Sequence, residues 1–571
     1  TETCIWKNVI GFLTEAASVR TASPVYIEPT ELSVRGKGLS EYKKSVNMLL
    51  PWEGGWWRLG DIVDYEIVST MSILKTASLY REEILRFRND ICREMVETGR
   101  TEPPFYYLFP REQHDAGELV KMVALLQEHG VNVYQLNKGL VVEDIAYHEG
   151  DLVVPLAQPF RAFIKEVLEK QEFPERHYTP GGELIKPYDI TSWSLPLHRN
   201  VKSFEVNTRF PELETNMSLI SGSFSMASSI NEQQGNILLP VNYNESYKAA
   251  FEAYKQGIDV ERLTENMSLE GKVLKQGSFV ISMEGETGDK ARVLIESLDF
   301  PVIQLPGDMH FKSEKMNVPK IALVETWFHD MDAGWTRFVF DTYHIPYKVL
   351  RPDEVAEADV NKNFDVIVFP DVDKNLLMEG KYKSGDNYYR GNYHPDYIKG
   401  LGKEGMEALM TFVDNGGVIV SWGRSSALFE GSLKIKRGKE TEEFNLPFKD
   451  ISKELTKDGL YVPGSLLKVN LAGDHPLTLG MPSQVGVFSR GRPVFSTSIP
   501  GFDMDRRVIA TYPEKDVLMS GYASGEKKVG NKSSMVWIRK GDGQFVLFGF
   551  NPQFRASSQG AYKLLFNAIL L

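Results

Sequence analysis

Cysteine is nearly missing from this chain: Cys4 and Cys92 are the only two in 571 residues. That excludes a disulfide-stapled scaffold and a four-cysteine zinc site, and both read as small buried apolar groups. No apolar run reaches about 18 residues, so no membrane span is expected. Positive charge is in short supply. Lys plus Arg number 65 against 77 Asp plus Glu, a net charge of −12. A surface built to neutralise phosphate carries the opposite sign, so nucleic acid is not an expected partner.

The common signatures of catalysis are missing too. Ten histidines are present, but neither H-E-x-x-H nor H-x-x-E occurs, and the first 113 residues hold no histidine. Two H-x-x-D spacings exist, His148/Asp151 and His329/Asp332. The first straddles Gly150 at a turn and the second follows a strand, and both read as polar loops. There is no G-x-S-x-G elbow, no Walker A sequence and no G-x-G-x-x-G after a strand. With no cysteine after Cys92, a Cys-His-Glu triad late in the chain is excluded.

What is present is ordinary globular material: 42% apolar residues, 25% charged, 29 Pro and 47 Gly. The length suggests roughly three or four domains. The expected class is an α/β multidomain protein. In residues 1–100, Trp6–Leu13 reads as a strand. From Asp61, an expected helix cap, apolar residues recur at helical spacing (Ile62, Tyr65, Val68, Met71, Leu74) as far as Met95, with Gly99 as a stop. Residues 98–104, TGRTEPP, read as a linker. The chain enters its first apolar run at once, with no signal-peptide pattern. That reads as a chain cut inside a domain, with a processed mature protein as the alternative.

Residues 105–310 contain an internal repeat. FYYLFP at 105–110 aligns with NILLP at 236–240, GVNVYQL at 130–136 with GIDVERL at 257–263, and HEGDLVV at 148–154 with KQGSFVI at 275–281. Twenty residues separate Gly130 from Gly150, and Gly257 from Gly277. Helices are expected at Arg161–Lys170 and Lys290–Leu298, giving two β-α-β-β-α copies, 105–173 and 236–310. The connection 174–235, rich in Pro, Ser and Asn, reads as loop. Self-association through the repeats is one possible use of them.

Residues 318–571 alternate short apolar strands with helices: VPKIALVE, WTRFVFDTYH, YKVL, FDVIVFPD, GMEALMTFVDNGG, GVIVSW. Strands without polar alternation, joined by helices, predict a flavodoxin-like, doubly wound parallel sheet. The final third turns β-rich and closes on a helix, Ala561–Leu571. Ligands of such sheets bind at the C-terminal strand ends, which points to Glu325–Asp332 and Asp371. Trp56, Trp57 and Trp335 could line a ligand surface, though a buried Trp is the commoner state. Asn551 and Arg555 read as loop-holding residues.

GFLTEAAS at 11–18, ASPVY at 22–26 and PWEGGWWRLGDIVDYE at 51–66 resemble the end of the catalytic domain in large bacterial zinc carboxypeptidases of the carboxypeptidase A-like class. REQHDAGELVKMV at 111–123, VVPLAQPFRAFIKEVLE at 153–169 and YDITSWSLPL at 188–197 resemble the segment that follows it. MDAGWTRFVFD at 331–341 and GFNPQFRA at 549–556 resemble its glutamine-amidotransferase-like C-terminal domain. The resemblance implies that 1–100 is a remnant of the catalytic domain and that Glu15 is the general acid/base beside the zinc. Such a glutamate takes a proton from the attacking water and returns it to the leaving amine. It implies a peptide substrate, zinc in the intact protein, and a periplasmic or extracellular location.

Departures from the family pattern are as informative. Its zinc-binding H-x-x-E, its later histidine and its substrate-holding arginine, asparagine and tyrosine lie upstream of the glutamate, so no metal ligand is assigned in this chain. Arg20 has no assigned role. Where an amidotransferase carries its cysteine, GGVIVSWGRSS offers Trp422, Gly423 and Ser425, so that domain is expected to be non-catalytic. The chain alone is expected to be inactive. The alternative is a non-enzymatic protein that binds a small molecule or a protein through its last domain.

Overall fold

The computed structural model describes all residues except 1, 20–21, 35–40, 231–234, 308, 329, 382, 385–386 and 389–393; at 2, 383–384 and 387–388 only the backbone is described. The chain forms two compact units. The first comprises residues 1–102 with 156–164, and the second the remainder.

In the first unit, Trp6–Leu13 is not a strand. Glu2–Trp6 is a short helix and residues 9–19 are irregular. A strand needs a neighbour for its N–H and C=O groups, and no described strand pairs with this run. The long helix is two, Leu59–Leu79 and Arg81–Thr101, broken at Tyr80. Asp61 lies one turn inside the first helix, where its Oδ2 accepts from the Arg58 N–H at 2.7 Å. Gly99 does not stop the second helix. A Cβ there would lie 2.2 Å from the Leu156 carbonyl oxygen, so glycine serves close packing. Asn8 Nδ2 donates to the Pro159 carbonyl at 2.7 Å, and Lys7 Nζ sits 4.9 Å from the Phe160 ring centroid. Both cysteines are free, and neither is buried as expected: Cys4 is exposed and Cys92 is half-buried.

The second unit contains the duplication. Each copy builds a five-stranded antiparallel sheet with the same plan. In the first, Tyr106–Phe109, Leu152–Pro155 and Tyr134–Leu136 lie side by side in the middle. In the second, Asn236–Leu239, Phe279–Ser282 and Val260–Leu263 do the same. Gly130 and Gly257 end their helices at φ 79° and 75°, and Gly150 and Gly277 turn at 85° and 86°, so the repeated glycines do the same backbone work. A hairpin lies between each pair of glycines, Leu140–Tyr147 and Met267–Leu274. The connection 174–235 is less loop-like than expected: Phe204–Val206 and Met217–Leu219 supply both edges of the first sheet.

The rest of the second unit is the doubly wound domain. Its parallel strands are β1 (Ile321–Val324), β2 (Lys348–Leu350), β3 (Val366–Phe369), β4 (Val418–Trp422) and β5 (Gly543–Phe548), in the order β2-β1-β3-β4-β5. That is the flavodoxin-like order. Alternate residues face opposite sides. Leu323, Val368 and Val420 join one core with Val339 and Phe340 of helix α1 (Met331–Thr342). Ala322, Ile367 and Ile419 join another with Leu409 and Phe412 of helix α2 (Gly402–Asp414). Beyond β5 the sheet continues antiparallel through Ser533–Lys540, Met504–Thr511, Ser465–Leu471 and Gln484–Ser489. This extension is the β-rich final third.

Candidate functional site

Two places carry chemistry-bearing residues. The first surrounds Glu15, which is exposed on the irregular stretch. Val25–Ile27 pairs with Gly55–Trp57, so ASPVY and PWEGGWW form one ribbon. Trp57 Nε1 donates to the Ala17 carbonyl at 2.8 Å, and Thr14 Oγ1 donates to Glu66 Oε2 at 3.1 Å. The residues on both sides of Glu15 are therefore tied to the tryptophan ribbon and the helix that follows it. Trp57 packs edge-on against Trp52 and Tyr65, each with ring centroids 5.6 Å away. Three motifs separated by up to 50 residues in sequence meet in one cluster. Trp56 is exposed and stands edge-on to Tyr26.

The second place is a cleft of about 310 Å³ at the C-terminal ends of β1, β3, β4 and β5. Asp332, in the first turn of α1, is its hub. Its Oδ1 accepts from Asn551 Nδ2 at 2.7 Å and Gln553 Nε2 at 3.0 Å. Its Oδ2 accepts from Trp422 Nε1 at 2.5 Å and the Asp371 N–H at 2.9 Å. Three segments of chain, at the ends of β3, β4 and β5, thus close on one carboxylate. Burial, and next the negative charge of Asp371, raise its pKa to about 6 against the pull of these donors. Asp330 caps α1, accepting from the Ala333 N–H at 3.1 Å, and burial raises its pKa as well. Glu325 turns elsewhere, to Arg337 at 3.2 Å and Arg351 at 3.5 Å.

The turn after β4 carries Trp422, Gly423 and Ser425. Trp422 is fully buried. Gly423 has φ 62°, and a Cβ on it would fall 2.4 Å from Asp371 Oδ1. The carboxylate of Asp371 occupies the space that a nucleophile at this elbow would need, held there by the Arg424 N–H at 2.7 Å and Arg424 Nε at 3.0 Å. Ser425 is buried; its Oγ accepts from the Val372 N–H at 2.9 Å and donates to the Pro370 carbonyl, so it straps the β3 loop. Trp422 and Ser425 are thus engaged in packing and bracing this turn.

Other residues singled out in the sequence resolve simply. Asp151 accepts from the Arg111 and His148 N–H groups, each at 2.8 Å, and braces a turn. Arg20 and His329 lie outside the described residues. Asn551 holds a loop, as expected, through Asp332 and the Gln553 N–H at 3.1 Å. Arg555 instead lines the cleft, as do Trp335, Arg490 and Arg492. Sequence reading missed Gln553 and the two arginines. Their only signal was position, on loops that the strand order brings beside Asp332.

No family model matches the chain, and no curated protein matches it. Solved structures similar to it include a ThuA-like protein of Bacteroides uniformis, 10% identical, covering 44% of this chain and 89% of that one at TM-score 0.26. A GMP synthase protein of Thermoplasma acidophilum is 11% identical, with 44% and 93% covered at TM-score 0.24. A β-galactosidase of Bacillus circulans is 11% identical, with 43% and 30% covered at TM-score 0.24. Likenesses of this size carry no argument about what the chain does.

Proposed function

We propose that this chain is the C-terminal part of a zinc metallocarboxypeptidase that removes C-terminal residues from peptides outside the cytoplasm. Glu15 is its general acid/base. The carrying observation is the surface of the first unit. Helix Leu59–Leu79 buries none of its residues, and Val9, Ile10, Phe12 and Leu13 are exposed, the last two at 66% and 70%. An apolar run without a sheet and an apolar helix without a core are the two halves of an interface that another part of a catalytic domain covers. Glu15 lies at the end of that run.

Among the described residues no three His, Cys, Asp or Glu side chains gather to hold a metal. The proposed contribution of Glu15 is proton transfer alone. A carboxylate at this point accepts a proton from the attacking water and delivers it to the departing amine. In the doubly wound domain, Asp371 filling the Gly423 elbow supports a non-catalytic role.

The test is made on the protein translated together with its upstream coding sequence. Release of the C-terminal residue from a blocked dipeptide is expected, with Glu15→Gln lowering kcat about 10²–10⁴-fold at unchanged zinc content. Equal turnover by the variant, or no peptidase activity in the longer protein, rejects the reading.

A further inference from the structure

We propose that the cleft at the ends of β1, β3, β4 and β5 binds a small oxyanion, a carboxylate or phosphate group, carried on an apolar body. Its volume of about 310 Å³ suits one small molecule. The inference rests on which charges in the cleft are committed and which are not.

The acids are committed inward. Asp332 accepts four hydrogen bonds, Asp330 caps α1, and Asp371 is engaged by Arg424. The cations face outward. Arg490, Arg492 and Arg555 are exposed and reach the cleft from two separate loops. Arg490 is anchored by Nε donation to the Pro463 carbonyl at 3.0 Å. Among the described residues neither Arg492 nor Arg555 has a carboxylate partner. In a chain of net charge −12, three outward guanidinium groups at one cleft run against the general surface charge. Guanidinium forks pair with carboxylate and phosphate oxygens in the bidentate manner. The α1 N-terminus adds the positive end of a helix dipole.

Arg555 is held in an unusual backbone state, φ 47° and ψ 36°. Left-handed backbone is uncommon for a long side chain, and such strain gathers at functional positions. It presents the guanidinium 5.4 Å from the Phe554 ring, which itself stacks on Phe488 at 3.6 Å and 9°. Trp335 also lines the cleft, which thus offers aromatic surface as well as cations. That pairing selects a ligand with an anionic head and an apolar body over a bare polyanion.

Calorimetric titration of the full chain tests this with three probes: inorganic phosphate, N-acetylphenylalanine and its uncharged amide. At least one anion is expected to bind, more weakly as salt rises. The amide is expected to bind about tenfold or more weaker than the acid, and Arg492→Gln and Arg555→Gln each to weaken the bound anion by about tenfold or more. Loss of N-acetylphenylalanine binding in Trp335→Ala identifies a carboxylate on an apolar body; inorganic phosphate bound as tightly as N-acetylphenylalanine, or binding indifferent to Trp335, overturns the apolar-body part of the proposal. Should Arg555→Gln lower the melting temperature, Arg492→Gln, on the other loop, decides. Binding of neither anion, equal binding of acid and amide, or affinity unchanged in the arginine variants overturns the proposal.

Discussion

Lys563 Nζ lies 3.1 Å from Asp115 Oδ2, with the two side chains exposed by only 3% and 2%. Asp115 caps the first repeat's helix Ala116–Glu128, and its Oδ2 also accepts from the Asn244 N–H at 2.8 Å, where the second repeat's helix begins. Lys563 donates to Asn244 Oδ1 at 3.1 Å. One cation on the closing helix Tyr562–Ile569 thus joins the helix starts of both repeats. Such a pair is a poor source of net stability but costly to break, because the surviving charge stays buried.

Lys563→Met is therefore expected to destabilise the second unit by about 3–5 kcal/mol. Adding Asp115→Asn is expected to restore part of that loss, since it removes the stranded charge. Urea denaturation of the single and double variants measures both. A single variant within about 0.5 kcal/mol of the parent, the ordinary range for surface changes, would show that the lysine is not a keystone.

Asp332 gives a pH dependence of defined sign. Its pKa is raised to about 6 in the folded chain, against about 3.9 when unfolded. The folded state thus holds this proton more tightly. Its contribution to stability is fully present below about pH 4 and is lost as pH rises through 6. A ¹³C titration of the Asp332 carboxyl should show a midpoint near 6. The stability difference between parent and Asp332→Asn should move across that same window. A carboxyl midpoint at or below about 4, the ordinary aspartate value, removes the effect.

Gly423→Ala tests the filled elbow. The added methyl meets Asp371 Oδ1 at 2.4 Å, and the backbone stands at φ 62°. Both effects oppose the change, and a loss of about 1–3 kcal/mol is expected. Because Arg424 is held by Asp371, the loop between Gly423 and Phe429 should also exchange its amide protons faster. Unchanged melting and exchange would mean that the elbow has room for a side chain after all.

The repeat was legible because its glycines recur at the same interval, and glycine is what left-handed turns require. The doubly wound sheet was legible because β1, β3 and β4 are short apolar runs buried on both faces. The edge strands Phe204–Val206 and Met217–Leu219 were not: three residues each, they are defined by partners more than 60 residues away. The Asp332 hub was hidden for a similar reason. Trp422, Asn551 and Gln553 meet it only because β4 and β5, separated by about 120 residues, are neighbours in the sheet. Trp6–Leu13 misled in the opposite direction, since its strand-like composition joins no sheet among the described residues.

Val68 and Leu85 test what covers the first unit. They are exposed by 69% and 68% on the two long helices, and Leu85 lines an apolar groove with Phe12, Ile73 and Tyr80. In this chain, Val68→Lys and Leu85→Lys are expected to change stability by no more than about 0.5 kcal/mol, as exposed positions do. They should also reduce binding of a hydrophobic dye. If this chain is part of a longer carboxypeptidase, as proposed, the same lysines are pressed there against the rest of the catalytic domain. There an unpaired buried ammonium costs several kcal/mol, so melting temperature and peptidase activity should both fall. Differential scanning calorimetry on the two lengths makes the comparison. Lysines equally harmless in both would mean that this apolar face is not where the remainder of the domain sits.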